Sequence, residues 1–143
     1  MNIAVVGLGK IGLPLAVQYA LKGHNVIGVD IDSRTVDSIN NAKEPFPEER
    51  YLQKYLFEVV TGGKLRATLS FKDAISDACV VVVVVPLFVN SKSEPDFNAL
   101  DSATENIGRY LRKGSLVCYE TTLPIGTTRQ RFCPALESKT GLK

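Results

Sequence analysis

The sequence predicts a doubly wound α/β fold, a mostly parallel sheet with helices on both faces. Three observations carry that prediction. Short runs of Ile and Val alternate with segments of helical period along the whole chain. One run holds six consecutive valines, residues 80–85; unbroken β-branched residues, rather than alternation with polar ones, mark a strand covered on both faces. A glycine-rich turn stands between the first apolar run and the first helix-period segment.

Taken in order, residues 2–6 read as the first strand, ending at Gly7. Residues 11–21 follow with helical spacing, Ile11, Leu15 and Tyr19 on one stripe and Ala16 and Ala20 beside it. Pro14 is tolerated because it falls in the first turn, whose amides have no intrahelical acceptor, and Gly23 reads as the C-terminal cap. Residues 26–29 form the second strand, closed by Asp30, and Ser33 is placed to cap a helix through Val36 and Ile39. A polar stretch with Pro45 and Pro47 spans 40–49; residues 51–60 form an additional helix ended by Gly62 and Gly63. Residues 66–69 make a third strand, 71–75 a short helical turn, and 79–85 the valine strand. Asp96 is placed to cap the next helix, whose apolar face is Phe97, Leu100, Ile107 and Leu111 and which Gly114 closes. Residues 115–119 are another strand. Gly126 and Thr127 open a last helix with Thr127 as its cap, and Pro134 argues against helix in its C-terminal half.

Composition narrows the function. Among 143 residues, 45% are apolar and 22% charged, the balance of one soluble globular domain, expected to span 1–143. Seventeen basic and 15 acidic residues leave a net charge of +2, which gives no electrostatic case for nucleic acid or a membrane surface. The longest apolar run, residues 79–89, is interrupted by Pro86 and is shorter than the roughly 20 residues a bilayer span requires. The N-terminus carries no basic stretch before its apolar run and does not read as a signal peptide. Cys79, Cys118 and Cys133 are odd in number and widely spaced, with no metal or redox pattern; reduced thiols and a cytoplasmic setting are expected. His24 is the only histidine and sits in a polar turn, so no metal site is expected.

The motif with the most chemistry is Gly7-Leu8-Gly9-Lys10-Ile11-Gly12. Between a strand and a helix each glycine has its own physical reason. Gly7 permits the tight turn, Gly9 lets the backbone approach a diphosphate, and Gly12 lets the helix pack closely on the strand. Backbone N–H groups around Lys10 and Ile11, with the helix dipole behind them, suit a bound anion. Asp30 lies at the end of the second strand, 18 residues beyond Gly12. A carboxylate there accepts from both hydroxyls of an adenosine ribose and repels a 2′-phosphate, so the expected cofactor is NAD rather than NADP. Asp32 is read as starting the turn into the next helix. For Arg34 two roles stand open, a contact to the diphosphate or adenine and a solvated helix charge.

Nucleotide binding alone names no reaction. Substrate and acid–base groups in such a sheet gather at the strands' carboxyl ends. Two loops qualify: Pro86, Leu87 and Phe88 running on to Asp96, and the richer Glu120-Thr121-Thr122-Leu123-Pro124-Ile125-Gly126. From the residues alone the second serves equally as reaction chemistry or helix-capping chemistry.

Four segments in order then become recognisable: GLGKIGLPLA at 7–16, GVDID at 28–32, EPFPEERYL at 44–52, and EPDFNALDSA leading to GSLVCYETTLPIGTT within 94–128. Together they resemble the N-terminal NAD-binding domain of the UDP-glucose/GDP-mannose dehydrogenase family, the nucleotide-sugar dehydrogenases. The resemblance covers essentially the whole chain, and its last segment is not a general Rossmann feature. It implies a Rossmann-type fold and oxidation of the primary alcohol of a nucleotide-linked hexose to a carboxylate, with two NAD molecules in succession and a thiohemiacetal on a cysteine. It implies NAD contacts from the glycine loop with Lys10 and Ile11, from Asp30, from Pro86 and Leu87, and from Thr122, which matches a threonine that helps hold the catalytic water. The sugar is expected in the UDP-N-acetylmannosamine or UDP-N-acetylglucosamine branch.

The sequence departs from the family at Leu87, where a threonine is usual, leaving only a backbone contact, and at Thr35, where a basic residue is common. The family's nucleophilic cysteine, its lysine and its glutamate-bearing loop match nothing here, and none of the three cysteines sits in that motif. The resemblance therefore implies a cofactor domain from a longer enzyme, inactive alone, whose sugar-binding domain and central dimerisation helix lie elsewhere and whose full-length form is a homodimer or larger. Two alternatives compete: the cofactor domain of a 3-hydroxyisobutyrate or 6-phosphogluconate type of dehydrogenase, which shares the Gly23-His24 pair, and a nucleotide-sensing module without catalysis. The Pro-rich segment at 44–52 and the loop at 120–128 speak against the first, and that threonine-rich loop against the second.

Overall fold

Strands and helices alternate along the chain as β1 (Asn2–Val6), α1 (Gly12–Leu21), β2 (Asn25–Val29), α2 (Ser33–Asn40), α3 (Leu52–Thr61), β3 (Leu65–Thr68), α4 (Phe71–Ile75), β4 (Val80–Val83), β5 (Phe88–Val89), β6 (Pro95–Asp96), α5 (Asn98–Tyr110), β7 (Leu116–Tyr119) and α6 (Cys133–Thr140). This computed structural model describes residues 1–47 and 49–141; Glu48, in the Pro-rich segment, lies outside the described residues. Five strands form one parallel sheet in the order β3-β2-β1-β4-β7. The chain moves outward from β1 through β2 to β3, then crosses back to lay β4 on the other side of β1. The sequence direction of the sheet thus reverses between β1 and β4, and a crevice opens there at the carboxyl ends.

The register aligns those ends. Val6 pairs with Val29 and with Val83, Val29 with Thr68, and Val83 with Tyr119. The loops beginning at Gly7, Asp30, Val84 and Glu120 therefore leave the sheet at one level.

The centre of the sheet is buried on both faces, as the valine run predicts. Ile3, Val5 and Val82 face a core built with Leu13 and Val17 of α1, Val36 and Ile39 of α2, and Leu56 and Val59 of α3. Ala4, Val6, Val81 and Val83 face the opposite core, with Ile75 of α4, Leu100 and Ile107 of α5, and Phe132. At roughly 25 cal/mol per Å² of apolar surface, these two layers supply the main drive to fold.

Several ends differ from the sequence-based expectation. Asp32, not Ser33, caps α2: its carboxylate accepts from the Arg34 amide at 3.0 Å. Helix α5 closes at Leu111, which turns extended, while Gly114 serves the following turn at φ +88°. Asp96 does satisfy a first-turn amide of α5, accepting from Asn98 N at 2.9 Å. Thr127 caps nothing; its hydroxyl donates to the Pro124 carbonyl at 2.7 Å. Residues Thr128–Phe132 wind as a π-helical turn, and α6 continues from it with Pro134 near its start and helix running on to Thr140, against the expectation that Pro134 would break it. The antiparallel pair β5–β6, within a segment expected to be loop, is a further difference.

Candidate functional site

The glycine turn is built by backbone necessity. Gly7 sits at φ +90°, and its amide donates to the Val29 carbonyl at 2.9 Å, extending the sheet by one bond. A methyl group at Gly12 would stand 1.8 Å from the Gly7 carbonyl oxygen, so α1 packs on the end of β1 only because position 12 has no side chain. A methyl group at Gly9 would meet nothing within 4 Å. The space over Gly9 is therefore open for a ligand to approach the backbone, which is the condition a diphosphate requires. Helix α1 begins behind it without a side-chain cap, leaving its dipole directed at that space.

Leu8, between the two glycines, is fully buried and lies over Gly28 of β2, where a methyl group would fall 2.5 Å from its Cδ2. That packing fixes the Leu8 backbone, whose N–H donates to Asp30 Oδ2 at 2.7 Å. The other carboxylate oxygen, Oδ1, accepts from the Asp32 amide at 3.0 Å. Asp30 is thus held at the rim by two backbone donors and is only partly buried, with acceptor capacity left for hydroxyl groups. Asp32 turns away and engages Arg34 through Nε and Nη2, both at 3.2 Å. The Arg34 hydrogen bonds hold the Asp32 carboxyl below its ordinary range.

Between these elements lies a cleft of about 420 Å³. Gly7 and Gly9 form its floor, Asp30 and Ile31 one wall, and Pro86 and Phe88 another. Ala99, Ser102, Ala103 and Asn106 of α5 close it with a stripe at helical spacing. Of the residues singled out from sequence, Gly7, Gly9, Asp30 and Pro86 meet in this cleft, and Gly12 supports the turn from below. Lys10 and Ile11 are exposed at the start of α1. Leu87 is half-buried against the core beneath α5 rather than in the lining, and Arg34 stands outside, paired to Asp32. Thr122 is exposed on the neighbouring loop and does not line the cleft. That loop is nonetheless tied to the site: the Thr121 hydroxyl donates to the Val85 carbonyl at 2.6 Å. Phe88, in the loop expected to border the site, also lines the cleft, whereas the wall supplied by Ile31 and α5 is not foreseen from sequence. Its signal is the small and polar face of α5, opposite the apolar stripe.

The loop at 120–127 is anchored from below. Phe132 is fully buried, stacks on Tyr119 with centroids 4.4 Å apart and meets Phe97 edge-on at 6.2 Å. Arg131 donates through Nε to Asp101 at 2.7 Å and lies 4.5 Å above the Phe97 ring. Tyr119 shares a hydrogen bond of 2.8 Å with the buried Thr104 hydroxyl, and burial pushes its phenol up to about 12.

Comparison with known proteins decides the family. The model of the UDP-glucose/GDP-mannose dehydrogenase family, NAD binding domain, matches residues 1–143. The chain belongs to the UDP-glucose/GDP-mannose dehydrogenase family. It is 37% identical over its whole length to the UDP-N-acetyl-D-mannosamine dehydrogenase of Pyrococcus horikoshii, of which it covers 33%. It is 33% identical over its whole length to the UDP-N-acetyl-D-glucosamine 6-dehydrogenase of Pseudomonas aeruginosa, covering 32% of that protein. Among solved structures, a ternary complex of GDP-mannose dehydrogenase from Pseudomonas aeruginosa superposes with a TM-score of 0.95 at 30% identity, over all of this chain and 33% of that one. The chain thus spans about a third of the length of the relatives it matches.

The matched family model is that of an NAD-binding domain, so NAD is the cofactor, and the residues fit it. The open space over Gly9 admits the diphosphate and the rim carboxylate of Asp30 suits a ribose diol. The cleft walls of Ile31, Phe88 and Ala99 are apolar enough for a planar base. Among the described residues no helix is long and apolar enough to cross a membrane.

Proposed function

We propose that this chain is the cofactor domain of a nucleotide-sugar 6-dehydrogenase, which oxidises the primary alcohol of a UDP-hexose to the uronate. UDP-N-acetylmannosamine and UDP-N-acetylglucosamine are the favoured substrates. The observation that carries this reading is similarity over the whole of this chain, about a third of each relative, to dehydrogenases of those two sugars, joined to a cleft that meets the demands of NAD. NAD, held by these residues, would supply the hydride acceptor for that oxidation.

The chain's own residues bind and orient. The turn from Gly7 to Gly12, including the backbone at Lys10 and Ile11, receives the diphosphate, and Asp30 accepts from the ribose hydroxyls and disfavours a 2′-phosphate. Pro86 and the backbone at Leu87 flank the dinucleotide on the β4 side. Thr122 holds the water that becomes the second carboxylate oxygen, on a loop kept in place by Thr121. The sugar site, the nucleophile and the oligomer interface belong to a further part of the enzyme, a cytoplasmic homodimer or larger assembly that binds neither nucleic acid nor membrane.

The test is NADH formation by the complete gene product with a panel of nucleotide sugars. Activity with either UDP-N-acetylhexosamine is expected. Activity with 3-hydroxy acids and none with any nucleotide sugar overturns the proposal.

A further inference from the structure

We infer that the Asp32–Arg34 pair is a second determinant of cofactor choice, withholding a guanidinium beside the ribose site from a 2′-phosphate. The inference rests on Asp30 as the ribose acceptor. A single hydrogen bond, Asp32 N to Asp30 Oδ1 at 3.0 Å, separates that acceptor from Asp32. Both Asp32 carboxylate oxygens are occupied by Arg34: Oδ1 accepts from its amide and from Nε, and Oδ2 from Nη2. The planar fork of Arg34 is therefore engaged by a carboxylate, in the two-bond geometry it would offer to a phosphate.

The pair contributes little to the fold. The Arg34 side chain is 91% exposed and that of Asp32 41%, and ion pairs so open to water add little to stability. What the pair does is set local charge. With Asp32 present, the positive charge of Arg34 is cancelled by a carboxylate whose own backbone amide is bonded to Asp30. Without it, Arg34 becomes a free cation at the mouth of α2, the kind of residue that receives the 2′-phosphate where a dinucleotide site takes NADP. Asp30 excludes that phosphate by direct repulsion; Asp32 removes the cation that would compensate.

The substitution that isolates this effect is Asp32→Ser, since serine caps a helix as well as aspartate does and leaves α2 intact. NAD and NADP are titrated calorimetrically into the protein, into Asp32→Ser and into Asp32→Ser/Arg34→Ala at low ionic strength. Asp32→Ser is expected to bind NADP about fivefold more tightly, with NAD affinity within about twofold and an unchanged melting temperature. The double variant is expected to return NADP affinity to the starting value. No gain in NADP binding overturns the inference, as does a gain that survives loss of Arg34. The underlying assignment fails separately, and visibly, if Asp30→Ala leaves NAD affinity unchanged.

Discussion

The amide of Leu8 donates to the Asp30 carboxylate at 2.7 Å, across 22 residues of sequence. This bond joins the glycine turn to the end of β2, so the two halves of the proposed dinucleotide site are set as one unit. It follows from packing: Leu8 is buried over Gly28, which fixes the direction of its N–H. On the proposed assignment, removing the carboxylate costs the ribose its acceptor and frees the turn. Asp30→Ala is expected to weaken NAD binding about 10- to 100-fold, the range for losing bonds to a charged acceptor. Asp30→Asn keeps an oxygen for Leu8 and is expected to fall between. Equal calorimetric affinities for all three proteins would mean the adenosine lies elsewhere.

Gly9 and Gly12 belong to one motif but answer to different forces. A methyl group at position 12 collides with the Gly7 carbonyl at 1.8 Å, backbone against backbone. Gly12→Ala is expected to destabilise the fold by about 3 kcal/mol or more. At Gly9 the same methyl group meets open space, so Gly9→Ala is expected to change stability by less than about 0.5 kcal/mol. Its effect falls on the ligand, as about a tenfold loss in NAD affinity from displacing the diphosphate off the backbone amides. Thermal melts and calorimetry on both variants separate the two effects; a stability loss at Gly9 matching that at Gly12 contradicts this division.

The sequence makes these features legible where one residue type is physically required. Gly12 is such a place, and so are the valines of β4, which tolerate neither polarity nor alternation because helices cover both faces. Legibility ends where several residues satisfy the same need. Asp32 and Ser33 both cap helices well, and only the extended backbone at Asp32 selects the first. Thr127 precedes a helical segment as a cap would, yet the chain winds there as a π turn and its hydroxyl bonds to Pro124 instead. The β5–β6 pair has two exposed residues per strand and no alternation to announce it. It is set by Asn90, whose side-chain oxygen accepts from the Lys92 and Glu94 amides. The α5 wall of the cleft reads as a solvent face because the ligand space beside it leaves no mark on helical period.

Asn40 seals one edge of the sheet. Its side chain donates to the Ala67 carbonyl at 2.9 Å and accepts from the Ala67 amide at 2.8 Å, occupying the outer side of β3 much as a neighbouring strand would. Exposed edges invite pairing with other chains. Asn40→Ala is expected to lose about 1–3 kcal/mol, because both backbone groups are left in a partly buried position, and to raise the concentration-dependent aggregation of the protein. Urea titration gives the first quantity and light scattering the second; wild-type values in both would mean water replaces the amide without cost.

Tyr119 offers a pH-dependent test of the second core. Burial raises its phenol from 10.0 to about 12, against an opposing influence from the Thr104 hydrogen bond. The folded protein therefore keeps a proton between pH 10 and 12 that the unfolded chain has lost. With more protons bound in the folded state, stability falls as pH rises through that window and is undiminished by this group below it. Tyr119→Phe is expected to remove this part of the alkaline decline, together with the tyrosinate absorbance that develops nearest pH 12. At neutral pH the same variant strands the buried Thr104 hydroxyl, at a cost of about 1–3 kcal/mol. Thr104→Val in the Tyr119→Phe background is expected to recover most of that loss, since an apolar pair of the same shape leaves nothing unsatisfied. If the double variant is as unstable as the single one, the hydrogen bond is not what the site depends on, and the stacking of Tyr119 on Phe132 stabilises it instead.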